Sequence, residues 1–342
     1  MSMKRLAMLT GGGDCPGLNP VIRAATRRAV QEGYEVLGIR NGWKGMIEKN
    51  FIPLDRRAVA GILHRGGTIL GTSRTNPRKM VGAVEKIFEN FKGLNLDVLI
   101  AIGGDDTLGV AYELYRKGLA TIGVPKTIDN DIPGTDYTFG FDTAVNIAME
   151  ALDRLHTTAE SHHRVLIAEL MGRHAGWITL HAGMAGGADY ILLPEFPKSM
   201  VEVAEALKKR HATGRTFSII AVAEGFKIEG EEVLQTQEKD AFGHVRLGGV
   251  GERIAKSIEK LTGFETRSVV LGHLQRGGAP TAYDRVLGTR YGLKAVELAM
   301  QGQFGKMVAL HGTEIVAVDL QSVTKAKVVT QELYAEAQTF FG

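Results

Sequence analysis

The chain has a single cysteine, Cys15, among its 342 residues. One thiol cannot form an internal disulfide, and this cysteine usage is typical of a protein in a reducing compartment. No apolar run approaches the length needed to cross a membrane, and the apolar stretch near the N-terminus is too short for a secretory signal peptide. We therefore expect a cytoplasmic protein.

Neither sign of charge is in clear excess. The 41 Lys and Arg residues nearly balance the 38 Asp and Glu residues, and the formal net charge is +3. So small an excess gives no reason to expect binding to nucleic acid or to a membrane surface. A hydrophobic content of 44% and a charged content of 23% are ordinary for a globular protein, and 342 residues suffice for two domains.

Two nucleotide-binding motifs are also absent. The signature G-x-x-x-x-G-K-[ST] does not occur, which excludes the P-loop class of phosphate-binding enzymes. The stretch "TGGGDCPG" does not match G-x-G-x-x-G, and the next apolar stretch, "EVLGIR", has no acidic residue at its end to bind a ribose. Binding of a nicotinamide dinucleotide is therefore a weak alternative.

Glycine, in contrast, is abundant, with 43 residues placed mainly where apolar runs end. Helical patterns lie between these runs, and strand alternating with helix indicates parallel sheets covered by helices. We therefore predict an α/β protein with two Rossmann-like, three-layer α/β/α domains and largely parallel sheets. The apolar runs with their loops cover residues 6–14, 68–74, 98–106, 121–131, 165–173, 218–226 and 269–278, and the helical patterns cover 18–31, 79–91, 141–160, 251–261 and 282–300.

The two domains are predicted to interweave. A first boundary falls near Pro133 to Phe141, and a second near Gly277 to Pro280 returns the chain to the first domain. We expect one domain to comprise residues 1–139 and 277–325, and the other to comprise 140–276 and 326–342. The charged, weakly periodic stretch 227–249 is predicted to be the least ordered.

Two glycine-rich turns point to phosphate binding. "GGGD" follows the first predicted strand and "GGDD" a later one, and each leads into a helix whose N-terminal amides favour anions. Either pair of glycines alone is explained as well by a tight turn. Two such turns at equivalent ends of one sheet favour a phosphate site, because ligands of such folds bind at the carboxyl ends of the strands.

The segment "PKTIDNDIPGTD" follows another predicted strand. Asp129 and Asp131, two residues apart in an extended loop, can point to the same side. One carboxylate could accept a proton, and the other could hold a metal or orient its neighbour. A solvated turn is the ordinary interpretation of D-x-D, but Lys126 and Thr127 beside it favour a catalytic cluster.

The ordered motifs of this chain resemble those of the phosphofructokinase family. They are, in sequence, "LTGGGDCPGLN", "RGGTILGTSR", "GGDDT", "PKTIDND", "MGRHAGW", "AEG" and "LGHLQRGG". The resemblance implies the phosphofructokinase fold and a homo-oligomer, dimer or tetramer, whose active sites are completed across subunits. It also implies reversible, Mg²⁺-dependent phosphoryl transfer to the 1-hydroxyl group of fructose 6-phosphate, a step of glycolysis and gluconeogenesis.

The donor implied by the resemblance is pyrophosphate. Members that use ATP typically have glycine at the position of Asp106, which leaves room for the α-phosphate of the nucleotide. A carboxylate about 4 Å from a phosphate charge costs on the order of 1 to 4 kcal/mol, and its bulk adds steric exclusion. Lys126 would supply positive charge to the pyrophosphate and to the departing phosphate.

The resemblance also implies roles for the donor half of the site. Asp129 would take the proton from the sugar hydroxyl, and Asp105, helped by Asp131, would hold Mg²⁺. Arg74 and Thr127 would stabilise the phosphoryl group in transfer. The backbone amides expected to bind the donor are those of Gly12, Gly13 and Gly104.

The sugar-phosphate half is expected from the second part of the chain. By the same resemblance, Arg164 and Arg267 would bind the 6-phosphate across a subunit interface, since the planar guanidinium suits phosphate oxygens. The remaining residues expected around the sugar, together with Thr127, Asp129 and Asp131, are Met171, Gly172, Arg173, Glu224, His273 and Arg276.

Two other functions remain open at this point. The nearer is an ATP-dependent 6-phosphofructokinase. The more distant is a non-catalytic sensor of a phosphorylated metabolite on the same scaffold, which predicts that catalytic groups are missing. Asp129, Arg74 and Asp105 are all present, and their presence disfavours a sensor.

Overall fold

The computed structural model describes residues 4–230, 249–323 and 326–341. The strands are β1 (Arg5–Thr10), β2 (Glu35–Ile39), β3 (Phe51–Leu54), β4 (Val98–Gly103), β5 (Thr121–Pro125), β6 (Val165–Leu170), β7 (Tyr190–Leu192), β8 (Ser218–Ala223), β9 (Thr266–Val270), β10 (Lys306–His311) and β11 (Glu314–Asp319). The α-helices are α1 (Leu18–Gln31), α2 (Trp43–Glu48), α3 (Ala83–Gly93), α4 (Asp105–Arg116), α5 (Phe141–His162), α6 (Trp177–Ala185), α7 (Met200–Ala212), α8 (Val250–Thr262), α9 (Ala282–Met300) and α10 (Gln331–Gln338). The stretch predicted to be least ordered, 227–249, lies for the most part outside the described residues.

The strands form two sheets. Seven strands make the first sheet in the order β11-β10-β5-β4-β1-β2-β3, and four make the second in the order β7-β8-β6-β9. Pairing is parallel throughout the second sheet and in the interior of the first. Among the described strands, only the outer pairs of the first sheet, β2 with β3 and β10 with β11, are antiparallel. The prediction of an α/β fold with largely parallel sheets is confirmed.

Helices cover both faces of each sheet. On β1, Leu6 and Met8 pack in one apolar cluster while Ala7 and Leu9 pack in another, because successive side chains point to opposite faces. The cluster on the first of these faces also contains residues of β6, β8, α5 and α6, so one continuous core joins the two sheets. A third cluster lies between the outer face of the second sheet and α7 and α8.

Glycines allow the returning chain to dock on the first sheet. Helix α9 packs against α1 at a backbone-to-backbone distance that a side chain would prevent. A Cβ atom at Gly292 would lie 2.6 Å from the carbonyl oxygen of Val21, and one at Gly288 would lie 3.0 Å from that of Gly17. This close contact anchors the segment between β9 and β10 beside the first glycine-rich turn.

The prediction of a strand within residues 68–74 is wrong. This stretch has no regular secondary structure, and its backbone is bonded to side chains and to scattered main-chain groups instead of a strand ladder. Thr10 donates its hydroxyl proton to the carbonyl oxygen of Gly71 (2.8 Å), and the amide of Ile69 donates to Oδ1 of Asn19 (2.9 Å). These bonds hold the loop against β1 and α1 and thereby place Arg74.

None of the helices within 4–230, 249–323 and 326–341 combines the length and apolar character that crossing a bilayer requires.

Candidate active site

A cavity of about 540 Å³ opens where the strands of both sheets end. Most of its wall consists of loops that directly follow β1, β4, β5, β6 and β8, and the rest comes from Arg74 and from the turn after β9. The lining residues are Gly12, Gly13, Arg74, Gly104, Asp105, Asp106, Thr107, Lys126, Thr127, Asp129, Asp131, Met171, Arg173, His174, Glu224, His273 and Arg276.

All but three of the predicted site residues line this cavity. The exceptions are Gly172, Arg164 and Arg267. Gly172 acts on the shape of the wall: its φ is 141°, and a Cβ atom there would lie 2.8 Å from the carbonyl oxygen of Ala175. Glycine is therefore required for the turn that presents Met171 and Arg173 to the cavity.

Lys126 anchors the first glycine-rich turn. Its ammonium group donates a hydrogen bond to the carbonyl oxygen of Gly13, and Gly12 beside it has a φ of 79°. Lys126 is buried, and burial lowers its pKa from the ordinary value. The side chain of Lys126 lies in the cavity wall, and its ammonium group also fixes the loop that follows β1.

Two carboxylates lie at the N-terminus of α4. Asp105 and Asp106 form the first turn of this helix, which begins after Gly104 without a side-chain cap. Negative side chains at this end stabilise a helix, so the pair has a structural reason as well. Asp105 is exposed to the cavity and Asp106 is half-buried in its wall.

The loop after β5 holds two acids of the site, Asp129 and Asp131. The amide of Asp129 donates to the hydroxyl of Thr127 (3.0 Å), and Asn130, at a φ of 51°, accepts at Oδ1 from the amide of Thr138 (3.1 Å). Oδ1 of Asp129 is buried and has no hydrogen-bond partner in the described part of the chain. Burial raises the pKa of Asp129, and burial followed by the charge of Asp129 raises that of Asp131 to about 7.

The second sheet supplies the opposite wall. Glu224 follows β8 and is held by its amide, which donates to the carbonyl oxygen of Leu170 (2.8 Å). Burial, and then the nearby charge of Asp129, raise the pKa of Glu224 to about 7. Arg276 reaches the first sheet, where its Nη1 donates to the carbonyl oxygen of Asp14 (3.3 Å). Acidic and basic side chains therefore line the same space.

Two lining residues were missed by sequence reasoning. Thr107 closes the floor between the glycine turns, since a Cβ atom at Gly11 would lie 2.5 Å from its Oγ1. Its signal was its place directly after "GGDD" in the first turn of a helix. His174 follows Arg173 in the loop after β6, and only this adjacency could have indicated it.

Arg164 and Arg267 lie together at the edge of the second sheet. Nη2 of Arg164 is 2.8 Å and Nη2 of Arg267 is 2.9 Å from Oε1 of Glu265. Val269 and Val270 on the same edge strand, β9, are exposed. The two guanidinium groups thus converge on one carboxylate at a surface that does not belong to the cavity of this chain.

Cys15 has no part in the chemistry of the cavity wall. Its thiol is buried and contacts the carbonyl oxygen of Phe139 (3.6 Å). Burial raises the pKa of the thiol to about 12, which keeps it protonated and unreactive at neutral pH.

Comparisons with known proteins agree with the motif order. The model of the phosphofructokinase family matches residues 5–299. Over 341 residues the chain is 58% identical to pyrophosphate–fructose 6-phosphate 1-phosphotransferase of Amycolatopsis methanolica, covering 99% of this chain and 100% of that protein. It is 52% identical over 337 residues to ATP-dependent 6-phosphofructokinase 3 of Streptomyces coelicolor, covering 98% of this chain and 99% of that protein.

Solved structures agree as well. The crystal structure of Pichia pastoris phosphofructokinase in the T-state superposes with a TM-score of 0.84 at 29% identity. The match covers 99% of this chain and 39% of the Pichia chain, so this chain spans well under half of that protein's length.

Proposed function

The chain belongs to the phosphofructokinase family, and we propose that it transfers a phosphoryl group from pyrophosphate to the 1-hydroxyl group of D-fructose 6-phosphate. The products are fructose 1,6-bisphosphate and phosphate, and the reaction is reversible. The name of the Amycolatopsis relative, which matches along nearly the whole chain, supports this activity. The cavity also supports this activity, because it brings carboxylate side chains together with lysine and arginine side chains.

The observation that carries the choice of donor is the position of Asp106 in the cavity wall. It lies beside Gly104 and Asp105 at the N-terminus of α4, where backbone amides favour a phosphate. A carboxylate here leaves space for a bare diphosphate and opposes the further phosphate and nucleoside of ATP, at a cost on the order of 1 to 4 kcal/mol. Overall identity does not decide the donor, because an ATP-dependent relative is also 52% identical.

Asp129 is the proposed general base. The residue is half-buried, and its buried Oδ1 is left without a partner in the described part of the chain, as expected of an atom that receives a hydroxyl proton. Burial raises its pKa, which brings a carboxylate closer to the range that suits proton transfer at neutral pH. Lys126, Arg74 and Thr127 line the same space and would stabilise the charge on the phosphoryl group in transfer.

The residues present fit Mg²⁺. In the described ranges no group of three or more His, Cys, Asp or Glu side chains is arranged to hold a metal ion. Mg²⁺ needs no such cage, since it is usually bound by one or two carboxylates together with water and substrate phosphates. Asp105, exposed to the cavity, and Asp131 would hold it. When bound, the ion would neutralise charge on the pyrophosphate.

The sugar phosphate is proposed to bind against the second sheet. Arg173, Glu224 and His273 would contact the sugar, with the 6-phosphate bound by Arg164 and Arg267 of another subunit. The remaining proposed contacts are Met171, Gly172 and Arg276. Guanidinium groups are well suited to this task because they form paired hydrogen bonds with phosphate oxygens.

Assembly into a dimer or tetramer is part of this proposal. The edge strand β9 and the turn after it expose Val269, Val270 and Leu274 beside the two arginines. Exposed apolar side chains on an edge strand are the composition expected of a surface that meets another chain. The distribution of strands between two sheets likewise supports the two domains predicted from sequence, with boundaries near residues 139 and 277.

A donor comparison tests the proposal. Purified protein is assayed with Mg²⁺ and fructose 6-phosphate, in one arm with pyrophosphate and in the other with ATP. We expect turnover with pyrophosphate and none above background with ATP. Turnover with ATP alone would support the ATP-dependent alternative. Binding of fructose 6-phosphate without turnover in either arm would support the sensor.

A further inference from the structure

The C-terminal segment crosses the molecule next to the loop that carries Asp129. Before helix α10 it runs beside the residues that follow β5, although the two stretches are almost 200 positions apart in sequence. The amide of Lys327 donates to the carbonyl oxygen of Asp131 (2.7 Å). The carbonyl oxygen of Lys327 in turn accepts from Nε1 of Trp177 (2.9 Å). The main chain of Lys327 is therefore bonded both to the loop after β5 and to the start of α6.

The side chain of Lys327 adds a second attachment to the same loop. Nζ donates to the carbonyl oxygens of Thr135 (3.0 Å) and Asp136 (2.8 Å), and it lies 5.2 Å from the centre of the Trp177 ring. The side chain is half-buried, and burial lowers its pKa to about 8. A half-buried ammonium that binds main-chain carbonyls orders the backbone of the loop it contacts.

Glu195 ties the segment to the opposite wall. Its Oε1 accepts from the amide of Val329 (3.0 Å) and from the amide of Gly176 (2.9 Å). Gly176 ends the loop that begins after β6 and carries Arg173 and His174 into the cavity. The same short C-terminal stretch is thus bonded to both loops whose side chains face each other across the site.

We infer that Lys327 is a positioning residue, which holds the loop of Asp129 and Asp131 in register with the loop of Arg173. Lys327 does not line the cavity, so its effect is exerted through the backbone of these loops. The inference rests on the proposed function, in which Asp129 is the base. Loss of its bonds would leave two carbonyl oxygens without their donor, and a displacement of about 1 Å at the reacting groups can cost about 100-fold in rate.

The test begins with Lys327→Met. Methionine removes the ammonium group but keeps an unbranched stem and both main-chain bonds, so the segment should still dock. We expect kcat with pyrophosphate and fructose 6-phosphate to fall about 10- to 100-fold while both KM values stay within about threefold. Lys327→Arg, which can still donate to the two carbonyl oxygens, is expected to recover most of kcat.

Arg210→Met is the matched control. Arg210 is also a largely buried cation, paired with Asp189 at 2.7 Å beside the second sheet, and neither residue lines the cavity. Its loss is expected to lower Tm while leaving kcat unchanged. An equal loss of kcat in Arg210→Met and Lys327→Met would overturn the inference, because general destabilisation would then explain both.

Amide hydrogen exchange gives a readout that does not require turnover. Residues 126–136 are expected to exchange faster in Lys327→Met than in the parent protein, and equally fast in Arg210→Met and the parent. Unchanged exchange, or an unchanged kcat, would overturn the inference. Failure of the proposed function would look different, since the parent protein itself would then be inactive with pyrophosphate while the exchange comparison could still be made.

A second variant covers the case in which Lys327→Met does not fold. Trp177→Phe keeps an aromatic ring against the lysine but removes the Nε1 donor to its carbonyl oxygen. We expect a smaller fall in kcat, about three- to tenfold, again with KM values little changed, in line with the loss of one neutral hydrogen bond. An unchanged kcat and unchanged exchange in this variant would count against the inference.

Discussion

The wall of the cavity and the edge of the second sheet hold their charged side chains in opposite ways. In the wall, Lys126 is only 3% exposed, and its ammonium group is bonded to a carbonyl oxygen of the chain itself. At the edge, the side chain of Arg267 is 55% exposed, and it shares a single carboxylate with Arg164. Lys126 is thus buried within the chain, whereas Arg267 lies at its surface.

The difference indicates where each half of the site is completed. Acidic and basic groups lie together in the wall, so the chain can position them without help from another molecule. At the edge Arg164 and Arg267 both pair with Glu265, and Nη1 of Arg267 also lies 3.7 Å from Oε2 of Glu259, so a phosphate bound there would compete with these exposed carboxylates. Solvent weakens exposed ion pairs, so the proposed binding of the 6-phosphate there is expected to be strong only where the proposed second subunit excludes water.

The largest effect is expected inside the wall, at Asp129. Asp129→Asn keeps the size of the side chain but removes the proton acceptor, and general base catalysis is worth about 10² to 10⁴ in rate. We expect kcat to fall about 10³-fold in a steady-state assay, with KM for both substrates little changed. Asp153→Asn, at an exposed position of α5, is the control and should behave as the parent protein. A variant that retained full activity would exclude Asp129 as the base.

A selective effect is expected at the edge. Arg267→Ala would remove the proposed charge-assisted contact with the 6-phosphate, and such bonds are worth about 1.5 to 3 kcal/mol. KM for fructose 6-phosphate should rise about 10- to 100-fold, and KM for pyrophosphate should stay the same. The control is Lys256→Ala, which removes an exposed cation from α8. Equal changes in both KM values would mean that Arg267 does not act on the sugar phosphate.

Mixing the Asp129→Asn and Arg267→Ala variants tests whether one active site is formed by one chain or by two. If Asp129 of one subunit works with Arg267 of another, hybrids of Asp129→Asn and Arg267→Ala subunits contain some sites with both native residues. After dissociation and reassembly in equal amounts, and at a fructose 6-phosphate concentration below the parent KM, where both variants are nearly inactive, about a quarter of the parent activity should return. Activity no greater than the sum of the separate variants would place the whole site within one chain.

The cavity wall was predictable because its residues are local in sequence. Gly12, Gly104 and Asp129 each follow an apolar strand within a few positions, and parallel strands bring their carboxyl ends to the same edge of a sheet. The motifs therefore assemble wherever the sheet forms. The fold class was predictable for the same reason, since buried strands alternate with helices along the chain.

The rest depends on contacts between distant stretches. Residues 68–74 contain an apolar run, but side chains of β1 and α1 satisfy its backbone, and no local pattern reports such bonds. Lys327 lies in a polar stretch with no motif, and its importance appears only where the segment meets Asp131 and Trp177. Arg164 and Arg267 were expected at the site, but they lie at the edge of the second sheet and do not line the cavity of this chain.

A smaller effect is expected at Asp106, which is proposed to select the phosphoryl donor. Asp106→Gly removes both charge and bulk, whereas Asp106→Asn removes the charge and keeps the bulk. We expect measurable turnover with ATP and a smaller preference for pyrophosphate over ATP in Asp106→Gly, because this change removes an electrostatic and steric cost of a few kcal/mol that opposes the nucleotide. Asp106→Asn should show less of both changes. Unaltered donor kinetics in both variants would mean that another feature excludes ATP.

Asp284 sharpens the comparison because it is a buried carboxylate that lies outside the cavity. It is fully buried at the start of α9, and its Oδ2 accepts from the amide (2.9 Å) and the hydroxyl (2.5 Å) of Thr143 at the start of α5. Burial raises its pKa to about 6. If burial and a raised pKa were enough to make a catalytic group, Asp284 would be one. Its position predicts an effect on stability alone.

The smallest expected effect on turnover is therefore that of Asp284→Asn. Between about pH 4 and pH 6 the folded parent protein binds a proton that the unfolded chain has already released, so its free energy of unfolding falls as pH rises through that window. Asparagine does not titrate, so the free energy of unfolding of Asp284→Asn does not fall in this way. Urea unfolding should show the stability of Asp284→Asn, relative to the parent, increasing by about 2 kcal/mol from about pH 4 to pH 7, with kcat unchanged. A relative stability independent of pH would mean that burial does not raise this pKa, and a large loss of kcat would mean that the functional carboxylates extend beyond the cavity wall.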